Sequence, residues 1–236
     1  MKILDYVDFG TGTNRKLISI NDCYDIVGKT GSLGLMFFHS FTGCDSSLSF
    51  YDKPKGQWYK FWSEFASDEL TSTCKKLSWC PSREDVDDSL GVLEQFVCGM
   101  YKFSSNASEQ HSLDSTRYIL FVNNVNENFR NLPPSKDSLR QHVLRCAYQA
   151  GWVWGNTLKQ QDVPPKVEWG WHLHPSEVQL SITWCTSSSV GLLHQITTTC
   201  KCRSVKTKCS RCKCGKSNLQ CLRFCSCKPK CKGEKT

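Results

Sequence analysis

Between Cys200 and Cys231 the chain has almost nothing apolar; Val205, Leu219, Leu222 and Phe224 are its only large hydrophobic residues there. So small a segment with so little to bury cannot fold around a hydrophobic core, and another stabilising element is required. Acids are nearly missing from the same region, with Glu234 alone between Cys200 and Thr236. No run of about 18 apolar residues occurs anywhere, so no membrane-spanning helix is expected. The opening residues, Met1-Lys2-Ile3 with Asp5 and Asp8 close behind, lack the apolar stretch of a signal peptide. A reducing compartment is therefore expected, and the Asn106-Ala107-Ser108 sequon is read as incidental. Gly10-Thr-Gly12 is not followed by a third glycine or a Gly-Lys-Ser, which excludes a nucleotide-binding loop.

Cysteine is present in abundance. Nine of the sixteen fall in the last 37 residues, at Cys200, Cys202, Cys209, Cys212, Cys214, Cys221, Cys225, Cys227 and Cys231. Zinc takes four ligands in a tetrahedron and thiolate suits it. Nine thiolates serve three zinc ions if six are terminal and three each bridge two metals. Disulfides are the alternative, but nine is odd and leaves a thiol over. The seven others, Cys23, Cys44, Cys74, Cys80, Cys98, Cys146 and Cys185, are scattered and read as small buried hydrophobes.

Charge divides the chain in the same place. Twelve Lys and Arg lie from Cys200 onward, whereas residues 1–199 hold 18 basic and 21 acidic residues. Nine thiolates and three divalent ions remove three of the tail's charges, which leaves it strongly positive. Lys201, Arg203, Lys208, Arg211, Lys213 and Lys216 are the expected nucleic-acid contacts. The competing reading is that these cations merely neutralise the cluster and keep it soluble.

The order and spacing of the nine cysteines resemble the tesmin-type CXC domain, closest over Cys214-x6-Cys221-x3-Cys225-x-Cys227. That resemblance implies a three-zinc cluster and contact with DNA or chromatin. It covers the block from Cys200 to Cys231. DNA-binding members carry a tyrosine ahead of the middle C-x-C, used in the minor groove. Arg211 stands there in this chain, in a loop two residues shorter.

The first 199 residues carry ample core material. Lys2–Phe9 and Arg15–Ile20 read as two strands around a glycine turn, a hairpin. Asn21 is the expected cap of a short helix, Asp22–Val27, ending at Gly28. Leu35 onward reads as an apolar helix stopping at Gly43, just before Asp45. Apolar spacing predicts helices over Val86–Phe103, Ser115–Val122 and after Ser135. In the last, Leu139, Val143, Cys146, Ala150 and Trp154 form the apolar stripe, with Arg140, Gln141, Arg145 and Gln149 on a solvated face. Gln179–Trp184 alternates as a strand, with Val167–Trp171 as its partner; Thr186–Ser189 is a linker and Val190–Ile196 a helical turn.

An acid just past a helix-ending glycine suits either a turn or a hard cation. Phe38-His-Ser-Phe-Thr-Gly-Cys-Asp-Ser-Ser47 resembles the Gly-Ser/Cys-Asp element of flap-endonuclease-like and PIN-like nucleases. It is more similar still to a signature in transposon-associated proteins of invertebrate and fish genomes. Leu93-Glu-Gln-Phe-Val-Cys-Gly-Met-Tyr101, Leu132-Pro-Pro-Ser-Lys-Asp-Ser-Leu-Arg140 and Gly170-Trp171 follow in that family's order. The resemblance implies that Asp45 is the relic of a magnesium-binding acid, with the family's Asp-x-Asp strand expected upstream of residue 1. Two-metal hydrolysis needs several converging carboxylates, which one aspartate does not supply. Asp5 and Asp8 do not match the motif. The family's Gly-Lys-Gly loop reads Tyr51-Asp-Lys-Pro-Lys-Gly56, where Lys53 and Lys55 remain as phosphate contacts without the glycine amides. His39 reads as a packed core histidine.

The expected architecture is an α/β, partial PIN-like portion over 1–65, a helical region over 66–163, a short β segment and linker over 164–189, and a zinc-stabilised irregular tail over 190–236. The expected function is a zinc-binding, DNA-associated, catalytically incomplete protein of transposon origin, nuclear and without membrane association. An active magnesium-dependent nuclease in a longer form, and a zinc-cluster protein-interaction or metal-storage module, are the alternatives.

Overall fold

A computed structural model describes residues 5–65, 67–102, 112–123, 129–174 and 179–186, with Lys216 alone beyond them. The chain divides into two units, Met1–Cys185 and Thr186–Thr236. The nine clustered cysteines, the Asn106 sequon, the linker from Ser187 and the turn expected at Val190–Ile196 lie outside the described residues.

Strands β1 (Tyr6–Phe9) and β2 (Lys16–Ser19) form the antiparallel hairpin, in register from Tyr6↔Ser19 to Phe9↔Lys16. Gly10 makes the turn at φ 95°, where a Cβ would sit 2.5 Å from the Asn14 carbonyl oxygen. Tyr6, Phe9 and Leu17 are exposed, so the hairpin rests on little of the core.

Helix α1 (Ile20–Phe41) is two helices joined at Gly28, whose φ of 77° and ψ of 166° break the ladder. Its cap is Ser19 rather than Asn21: the Ser19 hydroxyl accepts from the Asp22 amide at 3.2 Å. The second half is buried at Gly31, Gly34, Phe37, Phe38, Ser40 and Phe41. Gly34 lets α1 cross close to the helix that carries Cys74, where a Cβ would lie 2.9 Å from Cys74 Cβ.

Helices α2 (Lys55–Phe65) and α3 (Asp68–Leu77) follow. The segment read as a phosphate loop therefore contains a helix start. Pro54 is well placed there, because its fixed φ and missing N–H suit the opening of a helix. Ser67 caps α3 by accepting from the Leu70 amide, with Asp68 and Glu69 in the first turn and Lys75 and Lys76 in the last, matching the helix dipole.

Helix α4 (Arg83–Lys102) buries Val86, Leu90, Leu93, Val97, Met100 and Tyr101 at helical spacing. Glu94 is buried among them, yet both its oxygens are used. One accepts from the Leu113 amide at 2.7 Å, where α5 (Leu113–Asn123) begins; the other meets the Lys136 ammonium at 2.8 Å, where α6 (Lys136–Ala147) begins.

Ser135 caps α6, accepting from the Ser138 amide at 3.2 Å. Leu139, Val143, Cys146 and Ala150 are all buried. One expectation for this helix fails. Gln141 and Arg145 are buried rather than solvated; Gly170 lies against both, beside β3 (Trp171–Leu173), and Thr183, just after β4 (Leu180–Ile182), meets Arg145. Arg145 Nη1 donates to the carbonyl oxygens of Gly170 and Thr183 at 3.1 and 2.8 Å. Trp154 stays half-buried against the core, although the chain widens into a π-helical turn over Tyr148–Trp154 that changes the residue spacing. The β3–β4 pair is antiparallel and starts at Trp171↔Ile182, later than the Val167–Trp171 strand expected.

The core centres on aromatic rings. Trp58 lies 4.8 Å from Phe50, 5.3 Å from Phe96 and 6.1 Å from Phe41, centroid to centroid.

Candidate functional site

The end of α1 builds the segment that carries the nuclease-like signature. The Thr42 hydroxyl donates back to the Phe38 carbonyl at 2.8 Å, closing the last turn. Gly43 follows at φ 109°; a Cβ there would meet Ser49 Cβ at 2.6 Å, so the position demands glycine. Cys44 and Ser47 then exchange two backbone hydrogen bonds, each 3.2 Å, and Asp45 and Ser46 form the tip between them. Asp45 is thus a turn residue at the edge of the fold.

No group of three or more His, Cys, Asp or Glu side chains converges on a metal-sized site among the described residues. Asp8 is engaged on the hairpin, where Arg15 Nε donates to its two oxygens at 2.7 and 2.6 Å. The fold among described residues does not bring Asp5, Asp8 and Asp45 into one site.

The two loop lysines have internal partners. Lys55 Nζ donates to His39 Nδ1 and to the His39 carbonyl, both at 2.9 Å. Lys53 Nζ lies 4.9 Å from the centre of the Tyr101 ring. His39 is exposed, contrary to the core reading, with its ring 5.8 Å from that of Trp154. Partial burial, and then the adjacent Lys55 ammonium, lower its pKa, while Asp45 opposes the shift. Burial also lowers the pKa of Lys55, against the pull of Cys44 and Asp45.

The core histidine is His142, one helical turn from Cys146 on α6. Its Nε2 donates to the Phe41 carbonyl at 2.8 Å, which fixes the far end of α1 against α6. Burial pushes its pKa down to about 4, although the Phe41 bond pulls the other way. Cys146 is buried beside it, with Sγ 3.4 Å from His142 Nε2 and 3.4 Å from the Ser40 carbonyl oxygen. The Ser47 hydroxyl donates to that same Ser40 carbonyl and stands 3.1 Å from Cys44 Sγ. Sequence reasoning does not find this group. Its one local signal is the i, i+4 spacing of His142 and Cys146, which gives no hint of the distant Ser40, Cys44 and Ser47.

His142 gives a pH dependence with a definite sign. Its folded pKa of about 4 is below the ordinary 6.5, so the unfolded chain binds the extra proton first as pH falls. The contribution is complete above about pH 6.5 and is lost on falling towards pH 4. Urea unfolding between pH 7 and 4 is expected to show a loss on the order of 3 kcal/mol from this residue. His142→Gln flattens that part of the profile; an unchanged profile refutes the assignment.

Of the remaining scattered cysteines, Cys74 and Cys98 are buried as expected, whereas Cys23 and Cys185 are exposed and Cys80 is half-buried. Among the tail cations, Lys216 is exposed, and Lys201, Arg203, Lys208, Arg211 and Lys213 fall outside the described residues. No family model, curated protein or solved structure matches the chain.

Proposed function

We propose that the chain is a zinc-binding, DNA-associated protein of transposon origin whose nuclease-like body does not cut. The observation that carries this reading is the tail itself: nine cysteines and twelve cations in 37 residues, with one acid and little to bury. Its donor set is entirely thiol, which fits zinc and does not fit magnesium. Cys200, Cys202, Cys209, Cys212, Cys214, Cys221, Cys225, Cys227 and Cys231 would hold the metal, whose contribution is to keep the segment folded. The surrounding cations then engage phosphate, without base readout. A nuclear location follows from that partner.

For the body, the Asp45 turn with no converging acids among the described residues supports a relic rather than a working centre. Lys53 and Lys55 already hold Tyr101 and His39, so they serve as secondary phosphate contacts at most.

Fluorescence anisotropy of the zinc-loaded full chain on duplex DNA, across a salt series, tests the proposal. Replacing Lys201, Arg203, Lys208, Arg211 and Lys213 together by alanine is expected to flatten the plot of log K against log salt. The slope changes by about 0.9 for each phosphate that is no longer neutralised. Absence of binding at low salt refutes DNA association. Cleavage of flap or single-stranded DNA in magnesium, abolished by Asp45→Ala, refutes the inactive body and establishes the nuclease reading.

A further inference from the structure

We propose that Cys44 and Cys146 are an oxidisable pair that closes into a disulfide when the chain meets hydrogen peroxide. The two residues are distant in sequence, and the fold brings both to one polar cluster around the Ser40 carbonyl and the Ser47 hydroxyl. Cys44 Sγ lies 3.1 Å from Ser47 Oγ, and the Ser47 hydroxyl donates in turn to the Ser40 carbonyl, whose oxygen is 3.4 Å from Cys146 Sγ. Cys146 and Ser47 thus share the Ser40 carbonyl as acceptor. Closing the bond requires the Ser47 hydroxyl to turn aside so that the two sulfurs meet.

The difference in access between the thiols sets the order of events. Cys44 is half-buried at a turn, while Cys146 is fully buried on α6. Peroxide therefore reaches Cys44 first. The Cys44 sulfur attacks the O–O bond and becomes a sulfenic acid, releasing one water. The Cys146 sulfur then attacks the Cys44 sulfur: the S–S bond forms, the S–O bond breaks, and the leaving hydroxide departs as water with the Cys146 proton. Two thiols lose two electrons in all and one peroxide gains them. His142 donates through Nε2 to Phe41, so its neutral ring accepts at Nδ1, 3.8 Å from Cys146 Sγ, and is placed to take that proton in passing. The product ties the Asp45 turn covalently to α6. Glutathione returns it to the dithiol.

Peptide mapping of the full chain separates this bond from any reaction of the tail thiols. The full-length protein is treated with hydrogen peroxide, digested under non-reducing conditions and analysed by mass spectrometry, with dimedone as a trap for sulfenic acid. A linked Cys44–Cys146 peptide, with little dimedone on Cys44, is the expected result. In Cys146→Ala the linked peptide disappears and dimedone labelling of Cys44 rises severalfold. In Cys44→Ser, Cys146 stays reduced. The proposal is overturned if wild type gives no linked peptide while Cys44 is labelled as strongly as in Cys146→Ala. Should that variant fail to fold, the wild-type peptide map alone decides.

Discussion

Replacing Trp58 by alanine is expected to cost about 3–5 kcal/mol, enough to unfold much of the first unit at 37 °C. Trp58 is fully buried at the centre of the aromatic cluster, between Phe41, Phe50 and Phe96. Those three rings come from α1, the segment after it and α4, so the cavity would open where separate elements meet. The indole N–H, however, has no hydrogen-bond partner among the described residues. An unpaired buried donor costs about 1–3 kcal/mol. Trp58→Phe removes that donor and keeps an aromatic ring, so its loss should fall well short of the alanine variant's. Urea unfolding of both variants checks the pair. Equal losses would mean that the smaller ring recovers nothing at this position.

The second large effect concerns the tail. Stripping metal from the full chain with a chelator is expected to abolish DNA binding while leaving the helical circular dichroism signal largely intact. The reason is the shortage of apolar residues between Cys200 and Cys231, which leaves the segment no hydrophobic core to fold around once the proposed metal is removed. Elemental analysis of the untreated protein should find tightly held zinc near three ions per chain. Variable loading would favour metal storage, and full DNA affinity after stripping would show that charge alone is enough. Because the body holds about as many acids as bases, the loss should not be offset by phosphate contacts elsewhere.

How legible these features are depends on how local their causes are. The hairpin can be read because alternation and a glycine turn sit within one short stretch, and the Ser135 cap because it acts on an amide three residues away. Helix α2 escapes a reading that takes Pro54 as a spoiled loop glycine rather than as a residue suited to a helix start. The burial of Arg145 is not legible: the carbonyls it holds, Gly170 and Thr183, lie 25 and 38 residues along the chain. The two histidines show the same limit. His39 and His142 both sit on helices with apolar neighbours, and only the packing of α6 against the end of α1 decides which is buried. The thiol chemistry proposed for the tail, by contrast, rests on residue type and spacing alone.

The Glu94 carboxylate makes the starts of two helices depend on one side chain. It holds the first amide of α5 with one oxygen and the first lysine of α6 with the other, so both starts are registered to α4 directly. The position of each helix start is therefore set from α4, through one side chain. A change at Glu94 reaches two helices at once, whereas a change at Leu113 or Lys136 reaches one.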